Sequence, residues 1–305
     1  MTRVLVAEAL DEEGVALLRD HFAVDSRERT SEEELIQIIE QYDGLMIKTY
    51  TRVSKSVIDR AVKLKVVARA GTGLDKVDVE YAESKGIVVR NTPEANVTSV
   101  AEMVFALMLG VARKLVLADG YVRSQSGWNR DLFIGTELAD KTLGIIGLGY
   151  IGKKVAKRAL GFEMRLVGYD PFIDEKEMAK YGVEKTVSLG DLLRDADFIT
   201  IHVPLIDTTY HLLGEHEFDM MKKRAILVNT SRGPVVDQKA LLKALKKGKI
   251  SGAGLDVFEV EPPDDKEFLG LENTVMSPHI GAATHEALRK MTVQAAEIII
   301  EGLKG

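Results

Sequence analysis

The sequence predicts an α/β fold with two parallel sheets, each flanked by helices. Short apolar runs of strand length alternate with amphipathic stretches of helical spacing in residues 1–95, and the same alternation restarts near residue 142. Helices that separate successive strands favour parallel pairing within a sheet. With 305 residues the chain is also long enough for two domains.

The first α/β series is predicted from apolar runs and helical periodicity. Buried strands are expected at residues 3–6, 45–47, 64–69 and 87–89, and a helix is expected at residues 12–21. A second helix begins at Ser31, because Glu34 follows three residues later in the pattern of a capping box.

A long apolar helix is predicted over residues 97–119. The next segment, residues 120–140, has weak periodicity and contains the single tryptophan, Trp128. A stretch of this length without regular structure is uncommon inside a compact domain. We therefore expect it to pack on another subunit.

The second α/β series provides the strand ends that matter for function. Strands are expected at residues 143–146, 165–169, 198–202, 226–229, 253–257 and 274–277, and helices at residues 151–159 and 284–303.

Composition excludes several classes of function. The net charge of -6 argues against nucleic-acid binding, which needs a basic face. The absence of cysteine excludes disulfides, thiolate metal sites and cysteine nucleophiles. Charged residues interrupt the longest apolar stretch and a strand is predicted at the N-terminus, so neither a membrane span nor a signal peptide is expected. These features predict a cytoplasmic protein with no membrane partner.

A glycine-rich turn predicts a dinucleotide site. Gly147, Gly149 and Gly152 form a GxGxxG between a predicted strand and a predicted helix, and Asp170 ends the next strand. This is the Rossmann fingerprint, in which the glycines admit the pyrophosphate and the acid meets the ribose hydroxyls. A carboxylate at that position would repel a 2′-phosphate and no arginine adjoins it, so we predict NAD rather than NADP.

Three candidate catalytic residues follow three successive strands, namely Arg232, Glu261 and His279. Ligands of open parallel sheets bind beyond the carboxyl ends of strands. A histidine can take a hydroxyl proton, a carboxylate can orient that histidine, and an arginine can hold a substrate carboxylate. No metal is required. From position alone a structural role for each residue remains open, and other histidines compete: His21, His202, His211, His216 and His285.

Five motifs resemble those of the D-isomer-specific 2-hydroxyacid dehydrogenases, in the same order along essentially the whole chain. They are GTGLD at Gly71, GLGYIG at Gly147, NTSRG at Asn229, LDVFEVEPP at Leu255 and SPHIGAAT at Ser277. The resemblance implies that Arg232 binds the substrate carboxylate and carbonyl, that His279 is the acid/base and that Glu261 is its partner.

The resemblance also implies the residues that contact NAD. Asp256 would meet the nicotinamide carboxamide, and the segment from His202 to Pro204 would line the adenosine side. The full implied set is Gly147, Gly149, Tyr150, Ile151, Gly152, Asp170, His202, Val203, Pro204, Thr208, Thr230, Ser231, Arg232, Asp256, His279 and Gly281.

A discontinuous domain organisation follows from the same resemblance. Residues 1–95 and 284–305 would form a flavodoxin-like substrate domain, and residues 96–283 an NAD-binding Rossmann domain. Residues 97–140 would carry the dimer interface, so a homodimer or a dimer of dimers is expected. Longer relatives carry a C-terminal regulatory domain for serine. The chain stops at Gly305, so no serine feedback is expected.

The substrate is expected to be a small anionic 2-hydroxy or 2-keto acid. The resemblance implies that Lys48, Arg69 and Arg130 contact a phosphate group of the substrate, with Arg130 coming from a neighbouring subunit. The backbone amides of Gly71 and Gly73 are candidates for the substrate carboxylate. Two alternatives remain: an unphosphorylated hydroxy acid as substrate, and an NADH-sensing binding protein that resembles the corepressors built on this scaffold.

Overall fold

A computed structural model describes residues 2–304. The strands are β1 (Arg3–Val6), β2 (Ala23–Ser26), β3 (Gly44–Ile47), β4 (Val66–Arg69), β5 (Val88–Asn91), β6 (Thr142–Ile146), β7 (Arg165–Tyr169), β8 (Val183–Lys185), β9 (Phe198–Ile201), β10 (Ile226–Asn229), β11 (Gly252–Leu255) and β12 (Thr274–Met276).

Helices lie between most of these strands. The α-helices are α1 (Glu12–Arg19), α2 (Glu32–Ile38), α3 (Lys55–Arg60), α4 (Val79–Ser84), α5 (Val97–Ala112), α6 (Leu115–Arg123), α7 (Tyr150–Leu160), α8 (Glu175–Ala179), α9 (Leu189–Asp195), α10 (Glu215–Met220), α11 (Gln238–Lys246), α12 (Lys266–Leu269) and α13 (His285–Lys304). Short 3-10 helices cover Ile39–Gln41, Arg130–Phe133 and Gly233–Val235.

The chain forms two compact units, and the first is discontinuous. Residues 2–97 and 282–304 make up unit 1, and residues 98–281 make up unit 2. Both units contain a parallel sheet flanked by helices, so the predicted fold class is confirmed.

Unit 1 contains a five-stranded sheet in the order β2-β1-β3-β4-β5. Every pair in it is parallel, and Ile47 of β3 lies opposite Arg69 of β4. The C-terminal helix α13 belongs to this unit, because its apolar side packs among the side chains of β1, β3 and β4. Its close approach to α1 requires Gly14, since a Cβ there would lie 2.6 Å from the backbone of Thr292.

Unit 2 contains a seven-stranded parallel sheet in the order β12-β11-β10-β9-β6-β7-β8. The chain runs from β6 out through β7 and β8, then returns to the other side of β6 with β9. Ligands of doubly wound sheets bind where the strand order reverses in this way. The strands β10, β11 and β12 are neighbours, so the three turns that follow them lie side by side.

The predicted helix over residues 97–119 is wrong in one respect. It is two helices, because α5 ends at Ala112 and Lys114 adopts a left-handed conformation with φ 51° before α6 begins. Residues 120–140, for which the sequence predicted no regular structure, contain the end of α6 and a 3-10 helix at Arg130–Phe133.

The edge strands β2 and β8 were not predicted. Both are short, and neither presents the continuous apolar run of a central strand. The capping box at Ser31 and Glu34 is present as predicted. Within residues 2–304, no helix combines the length and the apolar character that spanning a membrane would require.

Candidate active site

The glycine turn after β6 leaves a space beside the first turn of α7. Gly147 has φ +89°, and a Cβ on Gly152 would lie 2.2 Å from the carbonyl oxygen of Gly147. Gly149 precedes α7, and a Cβ there would meet nothing within 4 Å. No side chain caps this helix and its first turn contains no acidic residue. The exposed N–H groups and the helix dipole at this end favour an anion.

Asp170 is tied to the glycine turn. Its Oδ2 accepts a hydrogen bond from the N–H of Leu148 at 2.9 Å, and its Oδ1 accepts one from the N–H of Phe172 at 2.9 Å. A carboxylate has about four acceptor positions, so it can still accept bonds from two ribose hydroxyls. The acid predicted from spacing therefore lies beside the turn.

His202 and Val203 lie against the other side of this turn. A Cβ on Gly147 would be 2.9 Å from both the His202 carbonyl oxygen and Val203 Cγ1. The His202 Nε2 is 3.0 Å from Thr200 Oγ1, and its Nδ1 is buried without a hydrogen-bond partner in the part of the chain described. Burial lowers the pKa of His202 to about 3. This histidine is therefore neutral at physiological pH.

These features fit a dinucleotide. The turn provides an open anion site at a helix N-terminus, an acid at the end of the next strand and an adjoining segment after β9, all at the reversal of strand order. Tyr150 and Ile151 are the first residues of α7. Pro204 and Thr208 are exposed in the loop after β9.

Substitution of Gly149 by alanine tests this anion site, because the fold itself has room for the added methyl group. We expect the Gly149→Ala protein to keep its melting temperature but to bind NADH at least about tenfold more weakly, since the methyl group would occupy the space for the pyrophosphate. Fluorescence titration with NADH measures the affinity. Gly214→Ala is the matched control, because a Cβ there would meet its nearest atom, Glu217 Oε2, at an ordinary contact distance of 3.4 Å. Unchanged NADH affinity in Gly149→Ala would rule out the assignment.

Arg232 is held at the end of β10 by a buried asparagine. Asn229 Oδ1 accepts hydrogen bonds from the Ser231 N–H at 2.9 Å and the Ser231 hydroxyl at 2.8 Å, and its Nδ2 donates to the Arg232 carbonyl at 3.0 Å. The Arg232 guanidinium donates to the Ser231 carbonyl at 2.7 Å. Between these residues, Thr230 Oγ1 is buried and has no hydrogen-bond partner within residues 2–304. Sequence reasoning gave Asn229 no role.

The Arg232 turn packs directly on the segment after β11. Gly233 touches the backbone of Phe258, where a Cβ would come within 1.9 Å of its carbonyl group. That segment carries Glu261, whose Oε1 accepts a hydrogen bond from the Phe258 N–H at 3.2 Å. The arginine turn and the glutamate segment are thus fixed against each other.

Asp256 organises the segment that carries His279. It is 1% exposed, and its carboxylate accepts hydrogen bonds from the Ser277 hydroxyl at 2.6 Å, the Ile280 N–H at 2.8 Å and the Gly281 N–H at 2.7 Å. The Asp256 carbonyl accepts the His279 N–H at 2.8 Å. His279 itself has φ 54°, a conformation that a non-glycine residue adopts only when its surroundings hold it. The expected contact with a nicotinamide would use the remaining acceptor capacity of Asp256.

His279 and Glu261 form a hydrogen-bonded pair. His279 Nδ1 lies 2.9 Å from Glu261 Oε2, and their side chains are 39% and 41% exposed. Burial alone would raise the pKa of Glu261, but the hydrogen bond from His279, the Phe258 N–H and the charge of Arg232 together hold that pKa below its ordinary value. The carboxylate fixes Nδ1 as the protonated nitrogen, which leaves Nε2 for exchange with a ligand.

Two of the residues expected to bind a phosphate, Lys48 and Arg69, contact each other in unit 1. Lys48 follows β3 and Arg69 ends β4, and Arg69 Nε donates to the Lys48 carbonyl at 2.9 Å. The Arg69 guanidinium lies over Gly71, where a Cβ would be 2.1 Å from its terminal nitrogen. Arg130, in unit 2, is exposed at the start of a 3-10 helix.

The Gly71 amide, expected to bind the substrate carboxylate, has a partner within unit 1. Gly71 is buried, and its N–H donates to Thr92 Oγ1 at 2.8 Å. Its partner lies 21 residues later in the chain, which the glycine pattern alone does not reveal. Gly73 has a partly accessible position in the same turn.

Comparison with known proteins identifies relatives of this chain. Residues 105–281 match the NAD-binding domain of the D-isomer specific 2-hydroxyacid dehydrogenases. The chain is 44% identical over its full length to a D-3-phosphoglycerate dehydrogenase of Methanocaldococcus jannaschii, but it spans 58% of that protein. A glyoxylate reductase of Thermococcus litoralis is 41% identical, with 99% of this chain and 94% of that protein covered.

A solved structure shows the same fold. The TT0316 protein of Thermus thermophilus superposes with a TM-score of 0.91 at 37% identity, with 100% of this chain and 97% of that chain covered. The family match over residues 105–281, within unit 2, confirms NAD as the predicted cofactor. The match over more than half of the chain, together with relatives above 40% identity, establishes that this chain belongs to the D-isomer specific 2-hydroxyacid dehydrogenase family.

Proposed function

We propose that the chain is an NAD-dependent D-2-hydroxyacid dehydrogenase, which interconverts D-3-phosphoglycerate and 3-phosphohydroxypyruvate as the first step of serine biosynthesis. The observation that carries the reaction type is the hydrogen-bonded pair of His279 and Glu261 beside Arg232, on three neighbouring strand ends of an NAD-binding unit. This combination provides a proton acceptor and a cation for a carboxylate.

In this proposal His279 exchanges the hydroxyl proton. When the 2-hydroxy acid is oxidised, the O–H proton goes to Nε2 of His279 and the C–O bond becomes a carbonyl. NAD, held at the glycine turn after β6 and by Asp170, would supply the hydride acceptor for carbon 2, and NADH would supply the donor in the reverse direction. Glu261 keeps the ring oriented through Nδ1 and stabilises the imidazolium that forms.

Arg232 binds the substrate carboxylate and the oxygen on carbon 2. A guanidinium offers two parallel N–H donors to a carboxylate and remains charged throughout the reaction. Asn229 and the contact of Gly233 with Phe258 hold its backbone in place. The Arg232 guanidinium donates a hydrogen bond to the substrate oxygen on carbon 2. This hydrogen bond strengthens as negative charge develops on that oxygen.

NAD is the proposed cofactor in preference to NADP. Asp170 accepts two backbone N–H bonds, which hold its carboxylate at the position expected for the ribose. A 2′-phosphate there would meet like charge.

The phosphorylated substrate is supported by the two adjacent cations of unit 1. Lys48 and Arg69 are brought together by the hydrogen bond of Arg69 to the Lys48 carbonyl. Lysine provides a point charge rather than a bidentate fork, so Arg69 would be the stronger phosphate ligand of the two. Arg130 is proposed as a third cation, supplied by a neighbouring subunit.

A glyoxylate or hydroxypyruvate reductase is the second candidate. The T. litoralis glyoxylate reductase is nearly as similar, at 41% identity against 44% for the phosphoglycerate dehydrogenase, and it matches along almost its whole length. The two candidates share the same proposed chemistry and differ only in whether a phosphate is bound.

A substrate panel separates these candidates. We expect NADH-dependent reduction of 3-phosphohydroxypyruvate with kcat/KM at least about tenfold above that of hydroxypyruvate or glyoxylate, and lower rates with NADPH. Arg69→Ala should remove this phosphate preference, because its guanidinium is lost, whereas Arg60→Ala at an exposed site on α3 should retain it. A higher kcat/KM with glyoxylate would favour the second candidate. No NADH oxidation with any 2-keto acid would favour the NADH-sensing protein.

A homodimer is part of the proposal. Residues 115–134 expose several large apolar side chains, which in a monomer would remain in water. The most exposed of these include Trp128 at 81%, Ile134 at 72% and Leu115 at 62%. Contact with a second copy of the chain would bury them.

A further inference from the structure

Glu8 is a buried carboxylate in unit 1 that has no role in the reaction described above. It is 3% exposed and lies just after β1, at an isolated bridge with Arg29. Burial of a carboxylate is costly unless hydrogen bonds compensate for the lost water. The contacts of Glu8 therefore indicate what it stabilises.

Among residues 2–304, the hydrogen bonds of the Glu8 carboxylate are with one loop, residues 48–51. Oε1 accepts hydrogen bonds from the N–H groups of Lys48 at 2.9 Å, Tyr50 at 3.0 Å and Thr51 at 3.0 Å. Oε2 accepts the N–H groups of Thr49 at 2.9 Å and Tyr50 at 3.0 Å. Four consecutive amides thus point at one carboxylate, an arrangement in which the loop backbone has little freedom.

The carboxylate form of Glu8 matches the N–H donors of residues 48–51, because it only accepts hydrogen bonds. Burial would raise the pKa of Glu8, but the N–H groups of residues 48–51 outweigh that effect and hold the pKa below its ordinary value. A neutral amide in place of the carboxylate would turn an NH₂ group toward N–H donors. The loop would then lose acceptors that it needs.

The loop carries Lys48 and also contacts Arg69. The N–H of Lys48 is held by Glu8, while its carbonyl accepts Arg69 Nε at 2.9 Å. Both the N–H and the carbonyl of Lys48 are therefore held, so the lysine side chain starts from a fixed backbone position and Arg69 is held against the same residue. A misplacement of about 1 Å in a group that positions the substrate can cost roughly two orders of magnitude in catalysis.

We propose that Glu8 is a positioning residue, which fixes loop 48–51 so that Lys48 and Arg69 bind the anionic group of the substrate. This inference rests on the proposed function, because it needs these two cations to contact substrate. Glu8 acts through the loop backbone and touches no substrate itself.

Glu8→Gln tests the inference, with Glu12→Gln as the matched control in the exposed first turn of α1. We expect Glu8→Gln to raise KM for 3-phosphohydroxypyruvate by about tenfold with a smaller change in kcat, because binding rather than chemistry is weakened. Its NADH affinity should match that of the wild type. Glu8→Asp keeps the charge and should recover part of the affinity for 3-phosphohydroxypyruvate that Glu8→Gln loses. If Glu8→Gln does not fold, Glu8→Asp is compared with the wild type in its place.

The outcomes separate this inference from the proposed function. A wild-type protein that turns over the substrate, together with an unchanged KM in Glu8→Gln, would overturn the role of Glu8 alone. If the wild type reduces no 2-keto acid, the proposed function fails. Calorimetric titration with 3-phosphoglycerate then decides about Glu8, and equal affinities of wild type and Glu8→Gln, or no binding to either, would contradict it.

Discussion

The His279→Asn protein is expected to lose about three orders of magnitude in kcat and to bind NADH as tightly as the wild type. Asparagine is close in size to part of the imidazole, but it cannot accept and return a proton near neutral pH. The segment around residue 279 is held mainly through its backbone by Asp256, so its conformation should survive. Steady-state kinetics and NADH titration measure the two effects.

His285→Asn is the control for this substitution, since that histidine is exposed at the start of α13. It should retain wild-type kcat. A His279→Asn protein that turns over at the wild-type rate would show that another group exchanges the proton. The assignment of His279 would then be wrong, although the family membership would stand.

The pH range over which the His279–Glu261 hydrogen bond persists follows from the pKa of Glu261. Its pKa in the folded protein lies below the ordinary carboxyl value of 4.5, so the contribution of its charged form to stability is fully present above pH 4.5. That contribution is lost as the pH falls through the lowered pKa. The His279–Glu261 pair is therefore expected to remain intact throughout the neutral and mildly acidic range.

The Arg232→Lys protein is expected to lose about a hundredfold in kcat/KM, although the positive charge is kept. Lysine cannot form two parallel hydrogen bonds with a carboxylate and at the same time donate to the carbonyl oxygen of the substrate. The KM for every 2-keto acid should rise, because all of them carry the carboxylate. This pattern differs from that of Arg69→Ala, which should affect phosphorylated substrates selectively.

Arg224→Lys provides the matched control, because Arg224 is exposed just before β10. It should behave as the wild type. If Arg232→Lys kept full kcat/KM, a bidentate role for Arg232 would be contradicted and the carboxylate would have to bind elsewhere.

The parts of the site that sequence could predict depend on local spacing. Gly147, Gly149 and Gly152 lie within one turn, and Asp170 ends the strand that follows, so their relation is short in sequence. Arg232, Glu261 and His279 follow successive strands, and consecutive parallel strands tend to be neighbours. The pairing of β10 with β11 and of β11 with β12 shows this.

The supporting contacts could not be predicted in this way. Glu8 meets loop 48–51 across some 40 residues, and Asp256 meets Ile280 and Gly281 across 24 and 25. In each case a carboxylate binds backbone N–H groups, which leave no side-chain pattern in the sequence. The break in the predicted helix over residues 97–119 also has no signal, because Lys114 is an ordinary helix former that adopts a left-handed conformation.

The central claim is that this chain transfers hydride between NADH and carbon 2 of a 2-keto acid, which gives the D-2-hydroxy acid. Its most direct test is the reduction of 3-phosphohydroxypyruvate with NADH that carries deuterium at both hydrogen positions of carbon 4 of the nicotinamide. Mass spectrometry and chiral analysis of the product should find deuterium on carbon 2 and the D configuration. A product without deuterium, or the L product, would contradict the account, as would no reduction of 3-phosphohydroxypyruvate, hydroxypyruvate or glyoxylate.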